Sequence, residues 1–254
     1  MHYISVIIPA LNDAEMLRTC LAALNSQSRA ADEIVVVDNG STDDTAAVAL
    51  AGGARVIAEP QRGIFPATAA GFDAAKGDIL ARLDADSVPS PDWLERVSAA
   101  FEADAALTAL TGPGAFYGSN RLVHWLGRHL YIGGYFWFIG LILGHPPMFG
   151  SNLALRSTAW SRLRLTVHRN RADIHDDLDL SYHVTPDMIV RFDPKLVVGI
   201  SARPFGSWTA LRRRLSWAFG TMALNGREIS AARRRSARRA YSRDRARART
   251  QARA

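Results

Sequence analysis

Cysteine is almost absent from this chain of 254 residues, which contains Cys20 alone. A single thiol cannot close an internal disulfide, so the class of small secreted domains held together by disulfides is excluded. Cys20 lies among Leu17, Leu21 and Leu24 at helical spacing. This setting predicts a small buried apolar side chain rather than a reactive nucleophile.

Long hydrophobic runs are also lacking. The uncharged stretch 130–143 has 14 residues, fewer than the roughly 20 that a helix needs to span a bilayer, so we expect a buried or interfacial segment. At the N-terminus no basic region precedes an apolar one, and a strand-like run occupies residues 3–8. These features predict an intracellular protein.

Three short catalytic or phosphate-binding motifs are missing as well. No Gly-x-Gly-x-x-Gly follows the first predicted strand, and no Gly-Lys-Ser/Thr P-loop occurs, so neither a dinucleotide site nor a Walker NTPase is indicated. The Gly-x-Ser-x-Gly turn of serine hydrolases is absent too. The chemistry must therefore be sought elsewhere in the chain.

Positive charge is confined to one end of the chain. The net charge is +7, but residues 227–254 hold 11 arginines and 2 acidic residues, which leaves residues 1–226 with a net charge of −2. We expect this low-complexity segment to be a disordered tail. The tail, rather than the acidic body, is predicted to bind polyanions such as an anionic membrane surface.

Short β-branched runs alternate with amphipathic stretches over about the first hundred residues, as is typical of βαβ units in a mostly parallel sheet. We predict strands at 4–8, 33–38, 55–58 and 79–83, helices at 15–24, 42–51, 66–75 and 91–101, and one or two late strands within 188–200. Further along, an amphipathic helix is predicted, with an apolar face formed by Leu211, Leu215, Phe219 and Met222.

Acidic side chains follow three of the predicted strands. Asp13 comes after the first strand, Asp38 ends the second, and Asp84 and Asp86 follow the fourth. The carboxyl ends of parallel strands meet at one sheet edge, where α/β proteins bind ligands. Each acidic group alone could belong to an ordinary solvated turn. Together they favour a site, in which two carboxylates at i, i+2 can hold a hard divalent cation.

A second acidic cluster covers residues 175–183. Asp176 or Asp177 could act as a general base if its environment tunes its pKa, or could simply stabilise the N-terminus of a helix. His175 and Asp179 stand at i, i+4, but no further ligand is evident for a zinc ion.

Five motifs in order resemble the family 2 inverting glycosyltransferases of GT-A fold. They occupy residues 5–13, 37–43, 83–87, 150–156 and 176–181, and the similarity covers roughly 3–200. The resemblance implies an α/β fold: a single Rossmann-like domain with a mostly parallel mixed sheet flanked by helices. We expect a nucleotide-sugar-binding half at 1–110, an acceptor-binding half at 111–202, an amphipathic helical segment at 203–226 and the basic tail at 227–254.

The resemblance also implies a reaction: transfer of a sugar, with inversion, from a nucleotide-diphosphate donor to a hydroxyl group, dependent on Mn²⁺ or Mg²⁺. Asp177 would be the general base, with Asp176 beside it in the catalytic pair. Asp86 would bind the metal, and Asp84 would lie by the ribose or a metal-bound water. The other implied donor contacts are Pro9, Ala10, Asn12, Asp13, Asp38, Asn39, Arg62, Gly63 and Ala85. A loop near the donor sugar and the acceptor would contain Gly150, Ser151 and Asn152.

Several positions depart from the family pattern. Thr68 and Ala69 stand where many relatives carry an Arg-Asn pair, so Arg62 would supply the missing charge. His183 stands where many relatives have Arg. Of the Gln-x-x-Arg-Trp motif of processive members only Trp217 is present, which disfavours processive synthesis.

The hypothesis is thus a metal-dependent, non-processive glycosyltransferase acting on a lipid-linked or cell-envelope acceptor at the cytoplasmic face of the cell membrane. One alternative is a nucleic-acid-associated binding protein with an inactive body of this fold. It is disfavoured because the acidic body would repel a polyanion and the tail has one aromatic residue, Tyr241. Another is a sugar nucleotidyltransferase, disfavoured by the absence of a glycine-rich, basic phosphate loop near the N-terminus.

Overall fold

The computed structural model describes residues 1–117, 133–201, 208–228 and 230–251. The strands are β1 (Ile4–Ala10), β2 (Glu33–Asp38), β3 (Arg55–Ala58), β4 (Ile79–Arg82), β5 (Val88–Pro89), β6 (Leu107–Thr111), β7 (Gly114–Tyr117), β8 (Leu153–Arg156), β9 (Ile189–Phe192) and β10 (Val198–Ser201). The helices are α1 (Ala14–Asn25), α2 (Thr45–Ala51), α3 (Ile64–Ala74), α4 (Trp93–Ala103), α5 (Gly133–Leu143), α6 (Ser157–Leu163), α7 (Asp176–His183), α8 (Trp208–Glu228) and α9 (Ala231–Gln251).

Within the described ranges, seven strands form a mixed sheet in the order β3-β2-β1-β4-β8-β6-β9, and β5, β10 and β7 form a small second sheet. Strands β3, β2, β1 and β4 are parallel, whereas β8 runs antiparallel to both β4 and β6. The carboxyl ends of β1, β2 and β4 therefore meet the start of β8 at one edge, as the acidic strand ends predict.

Helices cover both faces of the large sheet. Alternate side chains of β1 enter two separate cores, with Val6 and Ile8 on the side of α1 and α4, and Ile7 on the side of α3. Because β1 is buried on both faces, its sequence is apolar almost throughout rather than alternating. The predicted α/β class is confirmed, and the late region 188–200 forms two strands, β9 and β10.

Helix α8 contacts the body through both polar and apolar residues, and Met222 of the predicted apolar face packs against the cluster of Ile139, Leu143, Leu178 and Tyr182. Thr221 and Asn225 are fully buried, whereas Leu215 and Phe219 of the predicted apolar face are 49% and 66% exposed. The side chain of Leu211 lies outside the described residues. Asn225 donates to the Asp179 carboxylate at 2.8 Å, and the Thr221 hydroxyl accepts from a backbone N–H of the segment before α7 at 3.0 Å. Hydrogen bonds of Thr221 and Asn225 thus add to the apolar contacts that this helix makes with the body.

The basic segment is a helix, and the expectation of a disordered tail is corrected for Ala231–Gln251. Alanine and arginine are both strong helix formers, which favours this outcome. Arg234 donates to the carbonyl of Tyr182, and Arg238 donates to those of Val184 at 3.1 Å and Met188 at 3.2 Å. These bonds hold α9 against the body.

The uncharged stretch falls partly within α5, and its first three residues lie outside the described part of the chain. On α5, Ile139 and Leu143 are buried, while Trp137, Phe138 and Leu141 are exposed. Among the described helices, none combines the length and the hydropathy needed to cross a membrane.

The close approach of α3 to the sheet yields a test. A Cβ at Gly71 would lie 2.4 Å from Cγ2 of Ile7 and 2.9 Å from Cγ2 of Val37. Gly71→Ala should therefore lower the free energy of unfolding by about 1–3 kcal/mol, as overpacked cores do, measured by urea denaturation. A Cβ at Gly220 would meet nothing within 4 Å, so Gly220→Ala should be neutral or slightly stabilising. Equal stability of the two variants would contradict this packing.

Candidate active site

The loops after β1 and β2 are tied together at the sheet edge. Asn12 has a positive φ of 53°, and its Oδ1 accepts from the N–H of Thr42 at 2.8 Å. Its own N–H donates to the hydroxyl of Ser41 at 3.0 Å, and the N–H of Asp13 donates to Oγ1 of Thr45 at 3.0 Å. Asn12 therefore holds the two loops in register, and Asp13 stands partly buried beside them.

The side chains of Asp38 and Asn39, at the end of β2, have different partners and different burial. The Asp38 carboxylate accepts from the N–H of Ser41 at 2.8 Å and stays partly exposed. Asn39 is buried, and its amide donates to the carbonyls of Glu59 and Gln61, each at 2.8 Å. Its Oδ1 also accepts from the N–H of Gly63 at 2.8 Å. The side chain of Asn39 thus positions the loop that carries Arg62 rather than facing a ligand.

Gly63 and Arg62 lie where that loop meets two others. Gly63 has a φ of 141°, and a Cβ there would lie 2.7 Å from Cβ of Ala172. Arg62 is exposed, and its guanidinium lies over Gly40, where a Cβ would be 3.6 Å from Cζ. The exposed Arg62 therefore brings positive charge to the edge next to Asp38.

Pro9, Ala10 and Ala85 are buried. Because the side chains of these three predicted donor contacts are buried, a ligand would contact them through the backbone. The Ala10 carbonyl is already used, because it accepts from the N–H of Asn39 at 3.0 Å. These residues therefore shape the site rather than recognise a ligand with their side chains.

The two carboxylates after β4 differ in their surroundings. Asp84 accepts from Nη2 of Arg82 at 2.8 Å through Oδ1, and from the hydroxyl of Ser151 through Oδ2. Asp86 is partly exposed, and its carbonyl accepts from the hydroxyl of Tyr117 at 2.8 Å. Oxygen ligands of this kind suit Mg²⁺ or Mn²⁺. Both carboxylates are partly exposed and could supply oxygen ligands to such an ion, with Asp84 oriented by Arg82 and Ser151.

Cys20 lies behind these carboxylates, fully buried as predicted. Burial raises the pKa of its thiol well above the ordinary value, and the nearby charges of Asp86 and Asp84 raise it further. The thiol is therefore neutral at physiological pH and unsuited to act as a nucleophile.

Arg82 joins the two acidic motifs, and the sequence analysis missed it. Its side chain is 3% exposed, and Nη2 lies 2.8 Å from Oδ1 of Asp84 and 3.2 Å from Oδ2 of Asp176. Burial alone would lower the pKa of the guanidinium, but three neighbouring carboxylates outweigh it and raise the pKa. These carboxylates belong to Asp176, Asp84 and Asp177. A positive charge on a buried strand just before an acidic motif is the signal that could have revealed it.

The adjacent acids of α7 have unlike environments. Asp176 is 3% exposed and is held by Arg82 and by the hydroxyl of Thr68 at 2.7 Å. Asp177 is partly exposed and accepts from the N–H of Gly150 at 2.9 Å. Asp176 is therefore engaged by buried partners, and its expected part in the catalytic pair stays a prediction. Thr68, one of these partners, is a further residue that the sequence analysis did not assign.

The Asp177 carboxyl has a raised pKa. Burial is the largest cause, and the neighbouring charge of Asp176 adds to it. The positive surroundings of His175 and Arg82, and the hydrogen bond from Gly150, act in the opposite direction. A carboxylate of raised pKa that stays partly exposed is suited to accept a proton.

The loop before β8 closes tightly on this network. A Cβ at Gly150 would lie 1.8 Å from Nη1 of Arg82, so only glycine fits there. Ser151 reaches Asp84, as already described. Asn152 is fully buried and bonds to Trp93 at 2.9 Å and to the Leu196 carbonyl at 2.6 Å. The Asn152 side chain therefore anchors this loop to the body, and the position of the loop near a sugar stays a prediction.

A histidine cluster lies at the other end of α7. Within the described ranges, His168, Asp179 and His183 bring their ligating atoms within 4.8 Å of one another, and His175 is not among them. The buried Asp179 accepts from the backbone N–H of His168 at 2.9 Å and from Asn225 at 2.8 Å. His183, which replaces the family arginine, thus packs beside a carboxylate already satisfied by N–H donors.

Comparison with known proteins identifies relatives for part of the chain. The family model described as Glycosyl transferase family 2 matches residues 5–159, more than half of the chain. Glycosyltransferase AglE of Haloferax volcanii is 39% identical over 104 residues, which are 38% of this chain and 34% of that protein. An uncharacterized glycosyltransferase of Mycobacterium tuberculosis is 41% identical over 109 residues, 43% of this chain and 47% of that protein.

A third relative is the undecaprenyl-phosphate 4-deoxy-4-formamido-L-arabinose transferase of Edwardsiella ictaluri, 35% identical over 108 residues, which are 38% of this chain and 33% of that protein. The chain thus spans between about a third and a half of the length of these curated relatives.

Solved structures share the fold. Glucosyl-3-phosphoglycerate synthase from Mycobacterium tuberculosis, solved with Mn²⁺, UDP and glucosyl-3-phosphoglycerate, matches with a TM-score of 0.63 at 21% identity, covering 88% of this chain and 80% of that one. S. aureus TarS matches with a TM-score of 0.60 at 14% identity, covering 82% and 38%. At these identities the likeness concerns the fold, and the predicted GT-A fold is confirmed.

The buried arginine supplies a stability test. Arg82→Met leaves the carboxylates of Asp84 and Asp176 without their counterion, and removing one partner of a buried pair costs about 3–5 kcal/mol. The same substitution at Arg162, whose pair with Asp187 is 55% and 41% exposed, should cost about 1 kcal/mol or less. Urea denaturation of both variants measures the difference, and similar losses in the two would show that Arg82 is not a structural counterion.

Proposed function

Because this chain belongs to glycosyl transferase family 2, we propose that it transfers a sugar from a nucleotide-diphosphate donor to a hydroxyl group with inversion at the anomeric carbon. The observation that carries the proposal is the buried Arg82, which joins the carboxylates after β4 to the acidic pair of α7. One site thus combines an edge suited to a nucleotide and a metal with a carboxylate suited to accept a proton.

The donor is proposed to lie along the ends of β1, β2 and β4. Asp38 would accept hydrogen bonds from the base or ribose, and Asp13 would help to place the nucleotide. Arg62, exposed over Gly40, would offer positive charge to the diphosphate. Support comes from the fold neighbour from Mycobacterium tuberculosis, which was solved with UDP and Mn²⁺.

A divalent ion, Mn²⁺ or Mg²⁺, is proposed as the cofactor. Asp86 would hold it, with Asp84 next to it and oriented by Arg82 and Ser151. When bound, such an ion would offset negative charge that develops on the departing diphosphate.

Asp177 is proposed as the general base. Its carboxylate would take the proton of the acceptor hydroxyl while that oxygen forms a bond to the anomeric carbon. The bond from this carbon to the diphosphate oxygen breaks at the same time, and the nucleotide diphosphate leaves from the opposite face. The N–H of Gly150 and the charge of Arg82 hold the carboxylate in place for this step.

The acceptor is proposed to be lipid-linked or part of the cell envelope, and the enzyme to work as a peripheral protein at the cytoplasmic face of the cell membrane. The name of the Edwardsiella ictaluri relative, an undecaprenyl-phosphate sugar transferase, supports an acceptor that is linked to a lipid. The arginine-rich helix α9 supports attraction to anionic lipids. A single transfer per binding event is proposed, since only Trp217 remains of the processive motif.

Metal-dependent donor binding is the first test. In a thermal-shift panel of nucleotide-sugars, one donor with Mn²⁺ should stabilise the wild-type chain, by about 2.7 kcal/mol at a concentration near 100 times its Kd. Asp86→Asn should lose this stabilisation, because a metal ligand is removed. The exposed Asp44, which makes no side-chain bond to α2, provides the matched control Asp44→Asn. Stabilisation that persists in Asp86→Asn would contradict the metal assignment.

Base catalysis is tested at Asp177. Asp177→Asn should keep metal-dependent donor binding while kcat falls by a factor of about 10²–10⁴, the usual contribution of a positioned base. In the wild type, kcat/KM should fall on acidification with an apparent pKa above the ordinary aspartate value, because the raised pKa leaves less carboxylate at low pH. Wild-type turnover by Asp177→Asn, or an acid limb at the ordinary value, would refute the assignment.

A further inference from the structure

Helix α5 is apolar on all sides, yet only one side is covered. Ile139 and Leu143 pack against Leu178 and Tyr182 of α7. On the opposite side Trp137 is 68% exposed and Leu141 is 46% exposed. Large exposed apolar side chains that lie together on a surface are typical of a protein or membrane contact.

Helix α9 borders this exposed side with positive charge. A Cβ at Gly144, just after α5, would lie 3.1 Å from Cγ of Arg235 and 3.5 Å from Cδ of Arg238, so the two helices meet there. Between them runs a groove of about 600 Å³, lined among others by Trp137, Leu141, Arg235 and Arg239. The groove therefore has an apolar floor and a cationic border.

The arginines of α9 fall into two groups. Arg234 and Arg238 donate to backbone carbonyls of the body and hold the helix in place. Arg235 and Arg239 are exposed at the groove. Burial, and then the charge of Arg238, lowers the pKa of the neighbouring His145 to about 3, so this ring adds no charge at neutral pH. The charged border thus consists of guanidinium groups, which pair well with phosphates.

We propose that this surface, formed by Trp137, Leu141, Arg235 and Arg239, docks on an anionic lipid bilayer. The aromatic and aliphatic side chains enter the boundary between headgroups and acyl chains, while the two guanidinium groups contact lipid phosphates. An apolar strip beside a basic one is the pattern by which helices lie in a membrane interface. The inference rests on the proposed function in one respect: that function gives the enzyme a reason to be at a membrane.

The surface lies next to the catalytic machinery. Helix α5 packs on α7, which carries Asp177 in its first turn. In addition, the rings of Phe136 on α5 and Phe149 lie 6.2 Å apart, and Phe149 precedes Gly150, which bonds to Asp177. Docking through α5 would therefore place the bilayer next to the helix that carries the proposed base.

The experiment is co-sedimentation of the full chain with vesicles of phosphatidylglycerol and phosphatidylcholine, without donor or metal. Trp137→Glu and Leu141→Glu should each weaken binding by about tenfold or more, because an apolar contact is replaced by a charge. Arg235→Glu/Arg239→Glu should weaken it by about 25-fold or more, since each basic residue near an anionic surface contributes about a factor of five and each glutamate is in addition repelled. Vesicles of phosphatidylcholine alone should bind the wild type weakly.

Matched controls distinguish binding through this surface from attraction by the overall positive charge of α9. Arg233→Glu/Arg247→Glu changes the net charge equally on exposed positions of α9 away from the groove. Leu165→Glu alters a leucine that is 81% exposed elsewhere. Both controls should bind several-fold better than the groove variants. If the two charge reversals weaken binding equally, the arginines act as a diffuse polycation, as in nucleic-acid binding, and the proposal is overturned. The proposal is also overturned if Trp137→Glu and Leu141→Glu bind like the wild type, because the apolar side chains then make no contact with the bilayer. Sugar transfer in solution is measured separately, so a failure here leaves the proposed reaction untouched.

Discussion

The guanidinium of Arg82 lies buried between the carboxylates of Asp84 and Asp176, and the rest of the site is arranged around it. Four acidic groups in two motifs would repel one another at a sheet edge without a counterion. A buried charge pair contributes little net stability, but losing one partner is costly, so the pair acts mainly to fix geometry. The position of Arg82 also requires a glycine at residue 150, since a side chain there would collide with the guanidinium.

This arrangement divides the four carboxylates into two kinds. Asp84 and Asp176 are engaged by Arg82 and by the hydroxyls of Ser151 and Thr68, so they orient the site. Asp86 and Asp177 are partly exposed, as is Asp84, and Asp177 accepts from the N–H of Gly150. Asp176 is thus the buried acid of the four, and the three partly exposed acids lie on the same edge, where they are proposed to act on ligands.

Helix α7 connects this edge with the surface of the molecule. Its first turn carries the acidic pair, its apolar side packs under α5, and Asp179 in the same first turn accepts from Asn225 of α8. The arginines of α9 bond to carbonyls at and just after its C-terminal end. One short helix therefore joins the proposed base to both the apolar and the cationic parts of the proposed membrane surface.

The sequence by itself determined the α/β class, the central strands and the gathering of acidic residues at one edge, because β-branched runs and parallel connections depend on local pattern. Only the tertiary structure decided that Arg82 and two hydroxyl groups engage Asp84 and Asp176, and that Asp176 is the buried acid of the four. It also showed that the side chains of Asn39 and Asn152 bond within the body, that Thr221 and Asn225 of α8 are buried and hydrogen-bonded, and that the basic segment is helical. These outcomes depend on hydrogen bonds and charge pairs between residues far apart in the chain, such as Arg82 with Asp176, and spacing along a sequence carries no record of such pairs.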